Sequence, residues 1–209
     1  MTIQPIVEGH GDVEAVPVLL RRMVDEAQTW EIGVGRAIRR RRSQLVQKAE
    51  LQKSVRLSLL QPDCAAVLIL FDADDDCPAE LAPEIRGWAA AVAGSVPCEV
   101  ILAKREYEAW FLGAIESLRG LRGIRSDATL HSEPEAPRDA KGELEERMYA
   151  GSSYFERDDQ PALSARFAFS DAHRRCRSFR KLASAFGTLV RAMGVGTARW
   201  PPMEWECGR

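Results

Sequence analysis

Four carboxylates fall within five positions in the stretch FDADDD, residues 71–76, directly after the apolar run at 65–70. A strand that ends in so much negative charge repels itself unless a cation compensates the carboxylates. A ligand set made of carboxylate oxygens suits Mg²⁺ or Mn²⁺ better than zinc. Magnesium takes few protein ligands and leaves room for phosphate, so the pattern indicates phosphoryl transfer or phosphodiester hydrolysis.

A second acidic segment lies near the start of the chain. Glu8 ends the apolar stretch at residues 2–8, and Asp12 follows four positions later in GHGD. If both acidic segments follow parallel strands, Glu8, Asp72 and Asp74 meet at one edge of the sheet, where sites form in such folds. The alternative is that acidic residues after a strand are loop residues and helix caps, and Asp-x-Asp alone does not decide between the two.

The elements that must position these residues alternate between strand and helix patterns. Strands are predicted at 2–8, 30–35, 65–71 and 98–104, and helices after Asp12, from Ser43 to about Leu60, from Pro78, and over 106–118. This alternation predicts an α/β fold with a Rossmann-like parallel sheet of about four strands flanked by helices.

The predicted organisation is a core at 1–120, a loop or linker at 121–143, and a helical C-terminal extension at 144–209 that packs on the core. The middle segment is rich in Gly, Pro, Ser and charge, whereas a helix with one apolar face begins near Ser178. No apolar run reaches the roughly 18 to 20 residues of a membrane span, and no leader pattern precedes the first strand. We therefore expect a soluble, cytoplasmic protein without a membrane partner.

Charge patterning restricts where nucleic acid could bind. The chain has 29 basic and 31 acidic residues, so any affinity for a polyanion has to come from a local patch. Five arginines lie within residues 36–42. Four of them are predicted to contact a phosphate backbone, namely Arg39, Arg40, Arg41 and Arg42. The alternative is a solvated face.

Two stretches carry a resemblance to a known domain. IVEGHGD followed by LILFDADDD resembles the Toprim domain of primases, topoisomerases and the overcoming-lysogenization-defect nucleases. With AKREYEAWFLGA and DQPALSARFAFSDAHRRCRSFRKL, the sequence also resembles a small bacterial Toprim-like family often encoded beside an AAA-type ATPase. The resemblance implies that Glu8 is a metal ligand or general acid/base, that Asp72 and Asp74 bind metal, and that Asp12 is the extra acidic residue of the two-metal nucleases.

Two further residues are candidates for the site. Glu108 lies at the border of the apolar stripe in 106–118 and is a candidate metal ligand, with a solvated position as the alternative. Lys181 faces away from the apolar side of the last helix. The resemblance implies that Lys181 neutralises charge in the transition state, and its alternative is a solvated helix lysine.

The resulting hypothesis is a nuclease that depends on Mg²⁺ (or Mn²⁺), in which Glu8, Asp72, Asp74 and Lys181 are catalytic. The resemblance implies the effector of a prokaryotic anti-phage defence pair, with an AAA-type ATPase as partner and DNA favoured over RNA. The alternative is a non-catalytic metal- or nucleotide-binding regulatory subunit of that ATPase. A receiver domain is disfavoured because strand one is followed by Glu8 instead of an acidic pair, and the oligomeric state stays open.

Overall fold

The computed structural model describes residues 1–197 and 199–205, so residue 198 and the end of the predicted extension, 206–209, lie outside the described residues. Its strands are β1 (Thr2–Val7), β2 (Gly33–Val34), β3 (Ile38–Arg39), β4 (Cys64–Asp72) and β5 (Cys98–Ala103). They form a parallel sheet in the order β2-β1-β4-β5, in which β2 pairs with the first residues of β1 and β3 pairs with its last residues. The predicted α/β fold is confirmed, with β3 as an additional short strand inside the basic run.

Helices cover both faces of this sheet. They are α1 (Asp12–Glu26), α2 (Arg42–Leu45), α3 (Lys48–Leu59), α4 (Pro78–Ala93), α5 (Ala109–Gly113), α6 (Ala140–Glu145), α7 (Glu156–Ser164), α8 (Phe169–Arg175) and α9 (Arg177–Ala192), with 3₁₀ turns at Ile115–Leu118 and Met203–Trp205. Within the described residues none of these helices combines the length and apolarity that crossing a membrane requires.

Two predicted helices are each divided in the structure. The predicted helix from Ser43 is α2 and α3, separated by the extended residue Gln47. The predicted helix over 106–118 is α5 followed by a 3₁₀ turn, and the chain bends next to Gly113, where an added Cβ would lie 2.5 Å from Cys176 Sγ. The tight contact with Cys176 leaves no room for a side chain at this bend.

Strand β4 is buried on both faces, as a central parallel strand should be. Successive side chains of a strand alternate between the two faces of the sheet. Leu68 and Leu70 accordingly join the cluster formed with α1, α5 and α7–α9, whereas Val67, Ile69 and Phe71 join the cluster under α3 and α4. The FDADDD stretch therefore begins at the end of a strand that is fixed from both sides.

The C-terminal third shares one hydrophobic cluster with the first strand and helix. Phe167, Phe179 and Leu182 lie in the same cluster as Ile3 and Leu19. Segment 121–143 has no helix or strand before α6, but its residues Ile124 and Ala128 are fully buried in this cluster. Helices α6 and α7 are consequently held against the part of the molecule that carries Glu8 and Asp12.

One arginine fixes α7 against α1. The Arg22 guanidinium donates hydrogen bonds to the carbonyl oxygen of Ser164 (2.7 Å), the last residue of α7, and to that of Phe167 (3.0 Å), which follows the helix. The same group lies over the Phe169 ring, 3.9 Å from its centroid. Because the C-terminal end of α7 is held in this way, its N-terminal turn is directed at the GHGD loop.

Candidate functional site

Parallel pairing brings the two acidic segments together. Val7 pairs with Leu70 in the β1–β4 register, so Glu8 and Asp72 leave the sheet at the same edge. Asp72 Oδ1 accepts a hydrogen bond from the backbone N–H of Tyr107 (2.9 Å). Burial raises the pKa of Asp72 well above its ordinary range, and the neighbouring charges of Asp12 and Glu108 raise it further.

Asp12 is a buried carboxylate of this site and is only 6% exposed. Its Oδ2 accepts a hydrogen bond from the Gly9 N–H (2.8 Å), and its Oδ1 accepts one from Gln160 Nε2 (2.8 Å). Burial raises the pKa of Asp12 even though both hydrogen bonds lower it. The structure thus places Asp12 beside Asp72, in a position that Gln160 of α7 stabilises.

Glu108 is the second buried carboxylate of this site. It is 1% exposed, so the solvated alternative is wrong. Its Oε1 accepts a hydrogen bond from the Tyr154 hydroxyl (2.8 Å), whereas its Oε2 is buried without a hydrogen-bond partner among the described residues. Burial is the main reason that the pKa of Glu108 is raised to about 7. Such a carboxyl needs either a proton or a cation.

Lys141 supplies positive charge next to these carboxylates, although no sequence pattern marked it as a site residue. Its Nζ lies 3.0 Å from Glu156 Oε2. Burial lowers the pKa of Lys141, but Glu108 and Glu156 outweigh that effect, so the pKa is raised. Both Lys141 and Glu156 come from segments read as linker and extension, in which no motif or period marked them.

The two glycines of the GHGD loop, Gly9 and Gly11, have little space for a side chain because α7 approaches the loop closely. A Cβ on Gly9 would lie 2.7 Å from Glu156 Oε1. A Cβ on Gly11 would collide with Gln160 Oε1 and would come within 2.6 Å of the Glu156 carbonyl oxygen. The two glycines therefore allow α7 to bring Glu156 and Gln160 next to Asp12.

Three buried oxygens of this site have no hydrogen-bond partner among the described residues, namely Glu8 Oε2, Glu108 Oε2 and Gln160 Oε1. A buried acceptor without a donor is costly, and each such atom calls for an explanation. All three are hard oxygen ligands of the kind that Mg²⁺ and Mn²⁺ prefer. As the side chains stand, the described residues hold no set of three Asp, Glu, His or Cys groups arranged to bind a metal. Lys141 and Arg42 supply positive charge there.

Arg42 belongs to the exposed side of the acidic edge. Its guanidinium lies 3.9 Å from Glu8 Oε2, 3.4 Å from Asp74 and 2.5 Å from Asp76. It also donates to the carbonyl oxygens of Asp72 and Ala73, the latter at 3.1 Å. The predicted metal ligand Asp74 is 56% exposed and contacts Arg42, so the structure places it outside the buried group.

The basic run does not form one exposed stripe. Arg39 lies in β3, and Arg40 donates through Nε to Ser54 Oγ (3.0 Å). Arg42 is engaged with the carboxylates, which leaves Arg41 as the exposed member of the predicted four. The structure thus separates side chains that the sequence analysis assigned to a common phosphate contact.

Lys181 lies in a different place from the buried carboxylates. It is exposed on α9 and lines a groove beside β5 together with Lys104 and Arg177. The lysine whose charge acts on Glu8, Asp12, Asp72 and Glu108 is Lys141.

Comparison with known proteins gives one match. Residues 7–186 match the model of a family described as Domain of unknown function (DUF4276), a range that includes Glu8, Lys141 and Gln160. No curated protein and no solved structure matches the chain.

Proposed function

This chain belongs to the DUF4276 family, and we propose that it hydrolyses phosphodiester bonds in nucleic acid with Mg²⁺ or Mn²⁺. One observation carries the proposal. Four carboxylates from separate segments, Glu8, Asp12, Asp72 and Glu108, meet at the carboxyl edge of a parallel sheet, and burial raises the pKa of each. A divalent cation is the ligand that stabilises such a group in its ionised form.

The residues that would hold the cation are Glu8, Asp72 and Glu108, whose oxygens fit it, with Asp12 beside them. A bound divalent cation would polarise the phosphate and lower the pKa of a water molecule. The Tyr107 N–H orients Asp72, and the Tyr154 hydroxyl orients Glu108 so that its second oxygen remains available.

Lys141 would neutralise negative charge that develops on the phosphoryl oxygens. Its ammonium group is held by Glu156 and remains partly exposed, with 39% of its side-chain surface accessible. We therefore assign to Lys141 the role that the resemblance implied for Lys181.

The DNA substrate, the AAA-type ATPase partner and the role in anti-phage defence remain proposals that rest on the resemblance to Toprim nucleases. Arg41, with its exposed guanidinium, is the member of the basic run best placed to contact a phosphate.

A second candidate is a non-catalytic subunit that binds a metal or nucleotide and regulates the ATPase. Arg42 favours this function because its ion pairs with Glu8, Asp74 and Asp76 cover the exposed side of the acidic edge. Such a protein would bind the cation without cleaving nucleic acid.

Cleavage assays with the purified chain distinguish these functions. Single- and double-stranded DNA and RNA are incubated with Mg²⁺, Mn²⁺ or EDTA, and Asp72→Asn is compared with Asp63→Asn. Asp63 is exposed at the opposite end of β4 and has φ +55°, a conformation that Asn tolerates. We expect metal-dependent cleavage that Asp72→Asn reduces by about 100-fold or more and Asp63→Asn leaves unchanged.

Metal-dependent stabilisation of a wild-type chain that cleaves none of the substrates would support the regulatory subunit. Cleavage by Asp72→Asn at the wild-type rate would show that the reaction occurs elsewhere.

A further inference from the structure

A groove of about 600 Å³ follows the outer edge of β5, between α4 and α9. Strand β5 is the last strand of the sheet and pairs only with β4 among the described residues. Helix α4 packs in the cluster that contains Val100 and Leu102, and α9 packs in the cluster that contains Ile101 and Ala103. The two helices therefore lie on opposite faces of the sheet, and the edge of β5 forms the floor between them.

The floor carries unpaired backbone groups. The carbonyl oxygens of Pro97 and Ala103 accept hydrogen bonds from the β4 side, at 2.9 and 2.8 Å. Because these groups alternate in direction along a parallel strand, the N–H and C=O groups of Val100 and Leu102 point into the groove. Within 1–197 and 199–205 no other residue forms a hydrogen bond with them. An open strand edge of this kind is a template for another strand.

The walls of the groove suit an extended backbone. Small side chains line both walls, namely Ala79 and Ala82 from α4, and Ser184, Ala185 and Thr188 from α9. The α9 wall extends from Arg177 to Thr188, which corresponds to about 16 Å along a helix. A strand rises about 3.3 Å per residue, so the groove accommodates about five residues of an extended peptide.

The charge of the groove specifies an acidic occupant. Four basic and two acidic side chains line it, namely Arg86, Lys104, Arg177, Lys181, Glu99 and Glu135. Both acidic residues are already engaged, since Glu99 lies 3.5 Å from Arg86 and Glu135 accepts hydrogen bonds from the backbone N–H groups of Arg177 and Ser178. Four basic and two acidic groups give the groove a formal charge of +2, which a partner of negative charge complements.

We propose that the edge of β5 binds an extended acidic peptide segment of a partner protein, which adds to the sheet as a further strand. The floor offers donors and acceptors in alternation, which a peptide backbone satisfies. A phosphate backbone provides only acceptors and would leave the carbonyl oxygens of Val100 and Leu102 unpaired. The basic side chains on either side of the floor select the acidic sequence, and this interaction is independent of the carboxylate site.

The test is selection of a random twelve-residue peptide display library on the full-length protein in EDTA. We expect the enriched peptides to be acidic and to lack proline in their central residues. The best peptide is labelled, and its Kd is measured by fluorescence anisotropy after N-methylation at alternate backbone positions. Methyl groups on one set of alternate positions should weaken binding about tenfold or more, and those on the other set should have little effect.

Two protein variants test the groove itself. Val100→Pro removes an N–H that points into the groove and leaves the hydrogen bonds to β4 intact, so it should weaken binding about tenfold. The double variant Lys104→Glu, Arg177→Glu should reverse the preference, so that basic peptides are enriched. Thermal unfolding checks that both variants fold. If Val100→Pro does not fold, the N-methylated peptides still test the proposal on the wild-type protein.

Three results would overturn the proposal. The first is a selection that enriches no peptide. The second is equal binding of both N-methylated series, which would indicate recognition through side chains. The third is displacement of the peptide by a twelve-nucleotide thymidine oligonucleotide together with unchanged binding by Val100→Pro, which would indicate a general polyanion surface.

Discussion

Glu108→Gln should make the stability of the cation-free protein less sensitive to pH. The pKa of Glu108 is raised from the ordinary 4.5 to about 7, mainly by burial. In this window the folded state binds more protons than the unfolded chain, so the free energy of unfolding falls as pH rises from about 4.5 to about 7. The contribution of Glu108 is therefore favourable in acid and lost above neutral pH.

The size of the effect follows from the pKa shift. The raised pKa of Glu108 corresponds to about 3 kcal/mol in total, most of which is lost between pH 5 and pH 8. The amide of Gln retains an oxygen that can accept the Tyr154 hydrogen bond but has no proton to lose in this range. The variant should therefore lose roughly 2 to 3 kcal/mol less than the wild type between these pH values.

Urea unfolding in EDTA, followed by tryptophan fluorescence at pH 5 and pH 8, measures this difference. Comparing the change with pH in both proteins cancels the constant free energy of burying an amide. Glu14→Gln, an exposed position on the first turn of α1, is the matched control and should follow the wild type. An equal loss of stability in Glu108→Gln and in the wild type would refute the assigned protonation of Glu108.

Adding Mg²⁺ extends the same experiment. The cation binds ionised carboxylates, so it should stabilise the wild type more at pH 8 than at pH 5. The difference between the Mg²⁺-induced stabilisation at pH 8 and that at pH 5 should be smaller in Glu108→Gln. An increment that is independent of pH would argue against Glu108 as a ligand.

Three further predictions concern the neighbourhood of the site. Gly11→Ala should lower the free energy of unfolding by about 3 kcal/mol because its Cβ has no space. Gly87→Ala, the control at an open position on α4, should raise the free energy of unfolding by about 0.5 kcal/mol. Equal effects of the two substitutions in urea unfolding would contradict the close approach of α7. Arg42→Gln should lower the melting temperature in EDTA and increase the shift that Mg²⁺ produces, and an unchanged shift would mean that Arg42 does not compete with the cation. Lys141→Met should slow single-turnover cleavage about tenfold or more, whereas Lys181→Met should have little effect. A larger loss of rate in Lys181→Met would mean that Lys181 and not Lys141 acts in the reaction.

The convergence of Glu8 and Asp72 could be predicted because each signal is local, whereas Asp12 was implied only by the resemblance and Asp74, predicted to join them, lies exposed beside Arg42. Apolar runs mark β1 and β4, carboxylates follow them, and parallel strands end at the same edge. Lys141 and Gln160 could not be predicted in this way. Their positions depend on how α6 and α7 pack on α1, and a sequence period gives the buried face of a helix but not its neighbour.

The charge pattern similarly predicted which residues form basic or acidic clusters but not which side chains pair with each other. The basic run was visible, yet short strand β3 and the turn into α2 direct Arg42 back to the acidic edge. The stripe over 106–118 predicted which residues are buried, including Trp110 and Ile115, although the helix is interrupted. Burial of a stripe survives such a bend because both halves still face the same core.

The order of the site residues along the chain matters for a protein that is still being synthesised. Among the described residues the last strand ends at Ala103, so the described sheet has been translated before Lys141, Tyr154 and Gln160. At roughly 5 to 20 residues per second, the ribosome needs several more seconds to add them. During that interval Glu108 lacks both its hydroxyl donor and its nearby ammonium group. A nascent or prematurely terminated chain would thus carry the sheet without an assembled centre, and the chemistry proposed for the site would begin only once α7 has docked.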